Sequence, residues 1–392
     1  MDMATSRKMK KILTPVIATL LVGGSLWCWY AGNTHVVWSL CCLGGLWLYG
    51  SLRVRKTSWR ALWINLLFIT LFLAGLEWFI AARKPREETT TWSNKPLFAM
   101  DASRGYHAAP GAMRRAQKKN ADGVVYDIVY RYDADGLRLT PPPAKSKNGS
   151  ILLFGCSYTL GEGVQENECF AYVAGQRSGL KAYNFGFHGY GTHNLLAALD
   201  SGAVGQAVKN PPAGVVYLAL TCHIWRAAGL PQWNWNDFEY QLDPSGKPQN
   251  LGVFSRPSER FSTRWWKNGL FSFCYRSATF RHIYERFYPK FIRENDLRRF
   301  VSLTAAMRDR VKTLYPDAPF TVILWTEHER ENRRILPLLR QQGIKVVTID
   351  EILPGFRQEE NKYRIPGDGH PNAMAHRLLG TYIAEKLVLT PQ

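Results

Sequence analysis

The chain has 392 residues, a formal net charge of +19 and 14 Trp, and 46% of its residues are hydrophobic. This length and composition allow a membrane segment together with a sizeable globular core. A positive charge of this size is typical of nucleic-acid-binding proteins. The sequence has no zinc-type Cys/His spacing and no nucleic-acid recognition motif, however, so we expect no nucleic-acid partner.

The first 86 residues contain the apolar runs of a membrane anchor. From Ile12 to Leu52 the only titratable side chains are one His, two Tyr and the Cys thiols, and the run is long enough for two spans of about 20 residues each. Ala61 to Ala82 predicts a third span, interrupted only by Glu77. These later spans argue against a cleavable signal peptide. The sequence therefore predicts a three-span anchor over residues 1–86, with the membrane as a partner.

The distribution of Lys and Arg orients this anchor. Basic residues precede the first span and fill the second loop, whereas the first loop has none. They are Arg7, Lys8, Lys10 and Lys11, and then Arg53, Arg55, Lys56 and Arg60. The positive-inside rule puts both basic segments in the cytoplasm, and three spans then place everything after Ala82 outside. We expect a multi-pass protein of the inner or plasma membrane whose C-terminal domain is extracytoplasmic, in the periplasm if the cell is Gram-negative.

The rest of the chain divides into a tether and a domain. Residues 87–123 are polar and irregular and predict a tether, and Val124 to Leu139 alternates like a strand with a turn at residues 133–136. Short apolar strands then alternate with helical stretches, which predicts a parallel sheet with helices on both faces and ligand sites beyond the carboxyl ends of the strands. These strands are Ile151–Phe154, Ala182–Phe185, Val215–Leu220, Phe320–Trp325 and Lys345–Ile349. We therefore expect an α/β domain over residues 124–392.

Residues from about 227 to 296 interrupt this alternation. They are rich in Phe, Tyr and Arg and contain Trp233, Trp235, Trp265 and Trp266. We interpret them as an insertion over the site, because exposed aromatic rings stack on sugars and Arg pairs with acidic groups. Trp233, Trp235 and Arg226 are the candidate substrate-binding residues. The alternative is a small satellite core in which the aromatic rings are simply buried.

Two short segments contain the chemistry of a serine esterase. Ser157 follows the apolar run 151–154 directly after Gly155-Cys156, and His370 stands near the C-terminus two residues after Asp368. A serine hydroxyl needs a base to take its proton, and the base needs a third group that fixes its tautomer. Ser157, His370 and Asp368 supply these groups in that order, and neither a metal nor an organic cofactor is required. Thr159 stands where a nucleophile elbow has its second Gly, which disfavours an α/β-hydrolase.

Read together, these segments resemble the SGNH, or GDSL, hydrolase family. The resemblance covers roughly residues 125–390 and implies a flavodoxin-like parallel sheet. Its blocks are residues 154–164, in which Cys156 replaces the usual Asp, residues 184–191, and residues 368–372. The resemblance implies that the backbone N–H of Gly189, together with that of Ser157, binds the oxyanion. His188 and His193 are interpreted as structural or substrate-facing.

The chain departs from the family pattern at two places. The third block should contain an oxyanion Asn, but the strand 215–220 is followed by Thr221-Cys222-His223, of which His223 is the better hydrogen-bond donor. The family Asp usually stands three residues before the His, where this chain has Gly367. If the first and third strands are neighbours, as in the family, Cys156 and Cys222 both lie at carboxyl ends, where a disulfide between them is one expectation; the alternative is two small buried thiols.

These observations predict a membrane-anchored, extracytoplasmic serine esterase. The expected substrate is an acyl or acetyl ester of a cell-envelope or exported carbohydrate, or a lipid ester, and the expected partners include envelope polysaccharide-assembly proteins. Two alternatives remain open. One is O-acetyl transfer to a polysaccharide, because a sugar hydroxyl can intercept an acyl-serine as water does. The other is a non-catalytic polysaccharide-binding or assembly component that has lost its oxyanion Asn.

Overall fold

The computed structural model describes residues 19–25, 35–54, 56–83, 89–92, 98–101, 105–229, 237–253, 274–287, 292–326 and 329–389. The chain divides into two units. The first is Met1–Arg86 with Pro257–Phe291, and the second is Glu87–Arg256 with Ile292–Gln392.

The described strands and helices follow in chain order. The strands are β1 Thr89–Trp92, β2 Phe98–Asp101, β3 Gly105–Ala108, β4 Met113–Asn120, β5 Gly123–Arg131, β6 Ser150–Gly155, β7 Lys181–Gly186, β8 Pro212–Leu220, β9 Phe238–Leu242, β10 Pro248–Val253, β11 Phe320–Trp325 and β12 Lys345–Thr348. The helices are α1 His35–Arg53, α2 Thr57–Ala82, α3 Ser157–Leu160, α4 Phe170–Ser178, α5 Thr192–Asp200, α6 Ala203–Ala207, α7 Cys222–Ala227, α8 Ala278–Phe287, α9 Glu294–Leu314, α10 Glu329–Gln341 and α11 Ala373–Tyr382.

A five-stranded parallel sheet forms the centre of the second unit. Its order is β12-β11-β8-β6-β7, which is the flavodoxin-like order 2-1-3-4-5. Every residue of β6 and of β11 is buried, as expected for strands covered on both faces. The predicted α/β class and parallel sheet are therefore confirmed. The strand order reverses between β6 and β8, and such a reversal opens a crevice at the carboxyl edge of the sheet.

The helices of this unit form two groups. Helix α4 packs against α11, and α5 packs against α7 and α9. Right-handed crossovers place the helix after the first strand and those after the later strands on opposite faces of the sheet. The core between helices and sheet is apolar, and its largest side chains include Trp325, Phe154 and Phe300. The loops at the carboxyl edge of the sheet hold the candidate site residues.

The segment 87–123, predicted as a tether, contains strands instead. Strand β4 pairs antiparallel with β5 and with β1, and β2 pairs with β3. The prediction failed because β4 is almost wholly polar. Its charges are matched across the strands: Arg115 donates two hydrogen bonds to Asp127, and Gln117 donates a third at 2.8 Å. Only Ala116 of this strand is buried.

The first unit contains the described part of the predicted membrane anchor. Helix α2 is long and apolar enough to cross a membrane, and α1 contains a shorter apolar stretch, Val36–Leu52. The two helices pack together, and Trp47 Nε1 donates to Thr70 Oγ1 at 3.0 Å. Of the first predicted span only residues 19–25 lie within the described residues, and they are helical. The three-span arrangement therefore stays a prediction.

The stretch predicted as one insertion, 227–296, is divided between the two units. Strands β9 and β10 form a hairpin in the second unit. Helix α8 belongs to the first unit, where the buried carboxylate of Glu77 accepts a hydrogen bond from Ser277 Oγ at 2.7 Å and one from the backbone N–H of Thr279 at 3.0 Å. Free N–H groups at a helix start bind a carboxylate well, which explains the acidic residue inside an apolar helix. Trp233, Trp235, Trp265 and Trp266 lie outside the described residues.

Candidate active site

The turn between β6 and α3 presents Ser157 at the carboxyl edge of the sheet. A Cβ on Gly155 would lie 2.0 Å from Thr159 Oγ1, so only glycine allows this tight turn. Ser157 is the first residue of α3, where backbone N–H groups have no partner within the helix. The helix ends after one turn at Gly161, which adopts a left-handed conformation with φ +83°.

The three predicted catalytic residues form one hydrogen-bonded chain. His370 Nε2 lies 2.9 Å from Ser157 Oγ, and His370 Nδ1 hydrogen-bonds to Asp368 Oδ1. The same carboxylate oxygen accepts the backbone N–H of His370 at 3.0 Å. Because the Asp368 carboxylate can only accept a hydrogen bond, His370 Nδ1 carries the proton that it donates to Asp368. Nε2 of the neutral ring is then free to accept a hydrogen bond from the serine hydroxyl. An Asp two residues before the His thus reaches the ring by forming a short turn.

Contacts to helix α3 fix the loop that holds Asp368 and His370. Tyr158 Oη donates to the carbonyl of Gly369 at 3.1 Å and accepts from Arg364 at 2.7 Å, and Arg364 also donates to that carbonyl. The backbone N–H of Ile365 donates to the carbonyl of His370 at 2.8 Å. The position of His370 is therefore fixed by the backbone contacts of its loop as well as by its hydrogen bond to Asp368.

The loop after β7 brings Gly189 to the same edge. A Cβ on Gly186 would lie 2.5 Å from the backbone nitrogen of Leu160, so this loop approaches the nucleophile turn closely. Gly189 has φ +73°, which favours glycine. Two side chains clamp the loop backbone: Tyr106 donates to the carbonyl of His188 at 2.7 Å, and Arg226 donates to that of Tyr190 at 2.8 Å.

The contacts of the predicted donor His223 are to Tyr217 and Leu220 rather than to Ser157. Its ring is fully buried and stacks on Tyr217 with centroids 5.7 Å apart. Its Nδ1 hydrogen-bonds to Tyr217 Oη at 2.7 Å and accepts the backbone N–H of Leu220 at 3.4 Å. Within the described part of the chain it makes no hydrogen bond with Ser157. His223 lies in the first turn of α7, and its Nε2 is buried with no hydrogen-bond partner among the described residues, so its predicted role as an oxyanion donor stays a prediction.

The remaining sequence candidates divide three ways. Arg226 lies beside the Gly189 loop through its contact with the Tyr190 carbonyl, whereas Trp233 and Trp235 lie outside the described residues. Cys156 is buried and Cys222 is partly buried, and no disulfide joins the two. The Arg226 contact is to backbone, and its predicted role toward substrate stays a prediction.

Glu162 is a site residue that the sequence did not single out. Its Oε2 lies 2.8 Å from His188 Nδ1 and 3.4 Å from His370 Nε2, and Tyr126 donates to its Oε1 at 3.3 Å. The signal was present, since Glu162 stands between two glycines five residues after Ser157. A carboxylate therefore faces Nε2 of His370.

Lys118 is the second missed residue, and no local signal marks it. Its Nζ lies 2.7 Å from Asp368 Oδ2, and the two side chains are 11% and 1% exposed. Lys118 lies on β4, in the segment predicted as a tether. Lys118 and Asp368 are 250 positions apart along the chain, so the sequence around either residue does not indicate the other.

The charges around His370 shift three pKa values. Burial opposes ionisation of both carboxyl groups, Asp368 and Glu162. Hydrogen bonds and charge from His370, together with Lys118, nevertheless hold the pKa of Asp368 well below its usual range. The contact with His188 and the charge of His370 lower the pKa of Glu162 to about 2. Burial also opposes the charged imidazole, yet the hydrogen bond to Asp368 and the charge of Glu162 outweigh it and raise the pKa of His370. The site thus favours an ionised acid pair around a basic imidazole.

Glu162, Asp368 and His370 form the one cluster in the described part of the chain whose candidate ligand atoms lie within 4.8 Å of one another. Hydrogen bonds account for this proximity, because each side chain is also bonded to Ser157, Lys118 or His188. We therefore interpret the cluster as an acid–base group and assign none of its members as a metal ligand.

Comparison with models of known families gives no match, and no curated protein matches the chain. Solved structures similar to it include a lipolytic protein of the G-D-S-L family from Desulfitobacterium hafniense, at 12% identity and a TM-score of 0.34, covering 60% of this chain and 98% of that one. An acetyl xylan esterase from Butyrivibrio proteoclasticus is similar at 11% identity and a TM-score of 0.36, covering 65% and 66%. A carbohydrate esterase family 2 enzyme with a carbohydrate-binding domain from Corynascus thermopiles is similar at 12% identity and a TM-score of 0.34, covering 76% and 85%. With values this low, the roles of the site residues are argued from geometry alone.

Proposed function

We propose that the chain is a serine esterase of the SGNH type. The observation that supports this best is the hydrogen-bonded series Ser157, His370, Asp368, set where the strand order of a parallel sheet reverses. A serine at the end of a strand is most often only a helix cap. A serine whose hydroxyl contacts an imidazole that is itself fixed by a buried carboxylate has the geometry of a nucleophile.

The reaction follows from this arrangement. Ser157 Oγ attacks the ester carbonyl carbon while its proton passes to His370 Nε2, and Asp368 stabilises the resulting imidazolium. The carbonyl oxygen gains the negative charge, and in this proposal the backbone N–H groups of Ser157 and Gly189 bind it. Collapse of this intermediate breaks the bond to the alcohol, which takes the proton from His370. Water then repeats the sequence on the acyl-serine and releases the acid.

The substrate that we propose is an acyl or acetyl ester of a cell-envelope or exported carbohydrate. An extracytoplasmic domain meets such esters first, and the net charge of +19 suits an acidic polymer or an anionic membrane surface. Transfer of the acyl group to a sugar hydroxyl is the runner-up, because it uses the same acyl-serine. The two are separated by adding an acceptor glycan and comparing free acid with acylated glycan.

Loss of the nucleophile tests the proposal. The full chain in detergent should hydrolyse a small acetyl ester, and Ser157→Ala should lower kcat/KM by at least about a thousandfold, because the members of a triad act as a unit. Ser201→Ala, an exposed serine at the end of α5, is the matched control and should leave turnover unchanged. Turnover of Ser157→Ala within about tenfold of the parent would remove Ser157 from the mechanism.

We also propose the extracytoplasmic location, which rests on the Lys/Arg asymmetry. Reporter fusions placed after Arg86 should report an extracytoplasmic position, and fusions in the loop Arg53 to Arg60 a cytoplasmic one. A reversed result at either point would contradict the three-span arrangement without touching the proposed chemistry.

A further inference from the structure

The second oxygen of Asp368 is taken by a residue from the polar strand β4. Asp368 Oδ1 serves His370, while Oδ2 lies 2.7 Å from Lys118 Nζ. The carboxylate is almost fully buried, so both oxygens need partners, and Lys118 leaves only Oδ1 for the imidazole. Side chains alternate between the faces of a strand, and the next residue, Lys119, is exposed. Lys118 is thus specifically turned inward.

The other side of the imidazole faces Glu162. His370 Nε2 has two oxygens nearby, Ser157 Oγ at 2.9 Å and Glu162 Oε2 at 3.4 Å. Neutral His370 accepts the serine proton at Nε2. Once protonated, Nε2 becomes a donor, and Glu162 offers it a charged acceptor. The carboxylate is itself anchored, since its contacts with His188 and Tyr126 hold it in place.

The charged and titratable neighbours of His370 come from several elements. Asp368 is on its own loop, Lys118 comes from β4, and Glu162 and His188 come from the loops after α3 and β7. Three more groups are Tyr158, whose ring lies 5.2 Å away, Arg364, which is bound to the Gly369 carbonyl, and His376 on α11. Of these neighbours, Lys118 and Glu162 bear opposite charges and lie at opposite ends of the Asp–His pair.

We propose that Lys118 and Glu162 are opposed positioning residues that hold the Asp368–His370 pair from its two ends. Lys118 fixes the rotamer of the Asp368 carboxylate and weakens the electrostatic attraction between Asp368 and the imidazolium. Glu162 stabilises the imidazolium directly at Nε2. Their balance sets the pH window of the site. This inference rests on the proposed esterase function for its kinetic consequence, but not for its electrostatic one.

The direction of each effect follows from charge. Only neutral His370 can take the serine proton, so kcat/KM falls as pH drops through the pKa of His370. That pKa is raised above its usual 6.5: burial lowers it, contacts with Asp368 and Glu162 outweigh burial, and Lys118 opposes them. Removing the negative charge of Glu162 should therefore move the acidic limb of the pH profile to lower pH. Removing the positive charge of Lys118 should move it to higher pH.

The test compares kcat/KM against pH for the full chain and four single variants. Glu162→Gln should shift the acidic limb down, and Lys118→Met should shift it up, each by about one unit or more. The double variant should return the limb close to that of the parent. The matched controls are Lys119→Met, the exposed neighbour on β4, and Glu359→Gln, an exposed carboxylate, and neither should shift the limb. Shifts in the same direction, or none in either site variant, would overturn the proposal.

Two further measurements separate folding and activity from this result. Lys118→Arg keeps the charge and should retain the parental limb, so a shift there would contradict the charge argument even if Lys118→Met fails to fold. Nitrogen NMR titration of His370 in the full chain, assigned by loss of its signal in His370→Asn, reports the same pKa without substrate. A parent with no ester turnover but with opposite NMR shifts in the two variants would refute the esterase and leave the charge balance standing. Equal NMR pKa values in all variants would refute the charge balance alone.

Discussion

The parallel sheet and the hairpin that the polar strand β4 forms with β5 contribute to the same site but differ in how their sequences encode structure. The central sheet strands are buried and mostly apolar, and the residues that follow β6 and β7 include motif glycines. Strand β4 is built largely from charged residues, and one of them, Arg115, is paired across the strands with Asp127 of β5. Apolar burial is visible in any short window of sequence, whereas paired charges become visible only once the strands are aligned. Lys118, which reaches the triad, belongs to the second kind.

Asp368 is where the two regions meet, and its replacement should have the largest effect. In Asp368→Asn the single carbonyl oxygen should turn to Lys118, which only donates, so the amide N–H faces His370 Nδ1 and forces the proton onto Nε2. That tautomer cannot accept the serine proton, and we expect kcat to fall by about a thousand- to ten-thousandfold with little change in fold. The measurement is kcat together with a thermal melt.

Asp317→Asn, an exposed position after α9, is the control for this loss and should behave as the parent. If Asp368→Asn kept kcat within about tenfold, the carboxylate would not orient the imidazole, and the hairpin would have no route to the chemistry.

Replacement of His223 should have a smaller effect on turnover. It tests a residue that follows a strand of the parallel sheet. Its Nδ1 bonds to Tyr217 inside the core, so His223→Ala removes a buried hydrogen bond and should cost about 1–3 kcal/mol of stability. Because the ring makes no described contact with Ser157, kcat/KM should fall by less than about tenfold, against about a hundredfold or more for a lost oxyanion donor. Thermal melts and kinetics of the same preparation check both parts.

Tyr217→Phe is the companion variant: it keeps both rings and removes the same hydrogen bond, together with the one between Tyr217 Oη and Thr192 Oγ1. It should also lose stability and keep its turnover. A hundredfold loss in His223→Ala with an unchanged melt would restore the side-chain oxyanion donor that the sequence predicts.

Sequence alone predicts the sheet and the placement of Ser157, because the apolar strands and the glycines of the turns are local signals. His370 and Asp368 are predicted as partners by residue type, and the structure brings them together. The predicted side-chain donor His223 bonds to Tyr217 instead of Ser157 among the described residues, because a position after a strand does not say which way a side chain of α7 points. Lys118 is missed because its partner lies 250 positions away. Glu162 is visible in the motif, but its distance from His370 Nε2 exists only in the folded chain.

The central claim is that Ser157 is a nucleophile activated by His370. The most direct measurement is to treat the full chain with a fluorophosphonate and locate the adduct by peptide mass spectrometry. We predict one covalent adduct on Ser157, none in Ser157→Ala, and much slower labelling in His370→Ala, because the serine then lacks its base. Labelling at another residue, or labelling of Ser157 at the same rate with and without His370, would contradict the account.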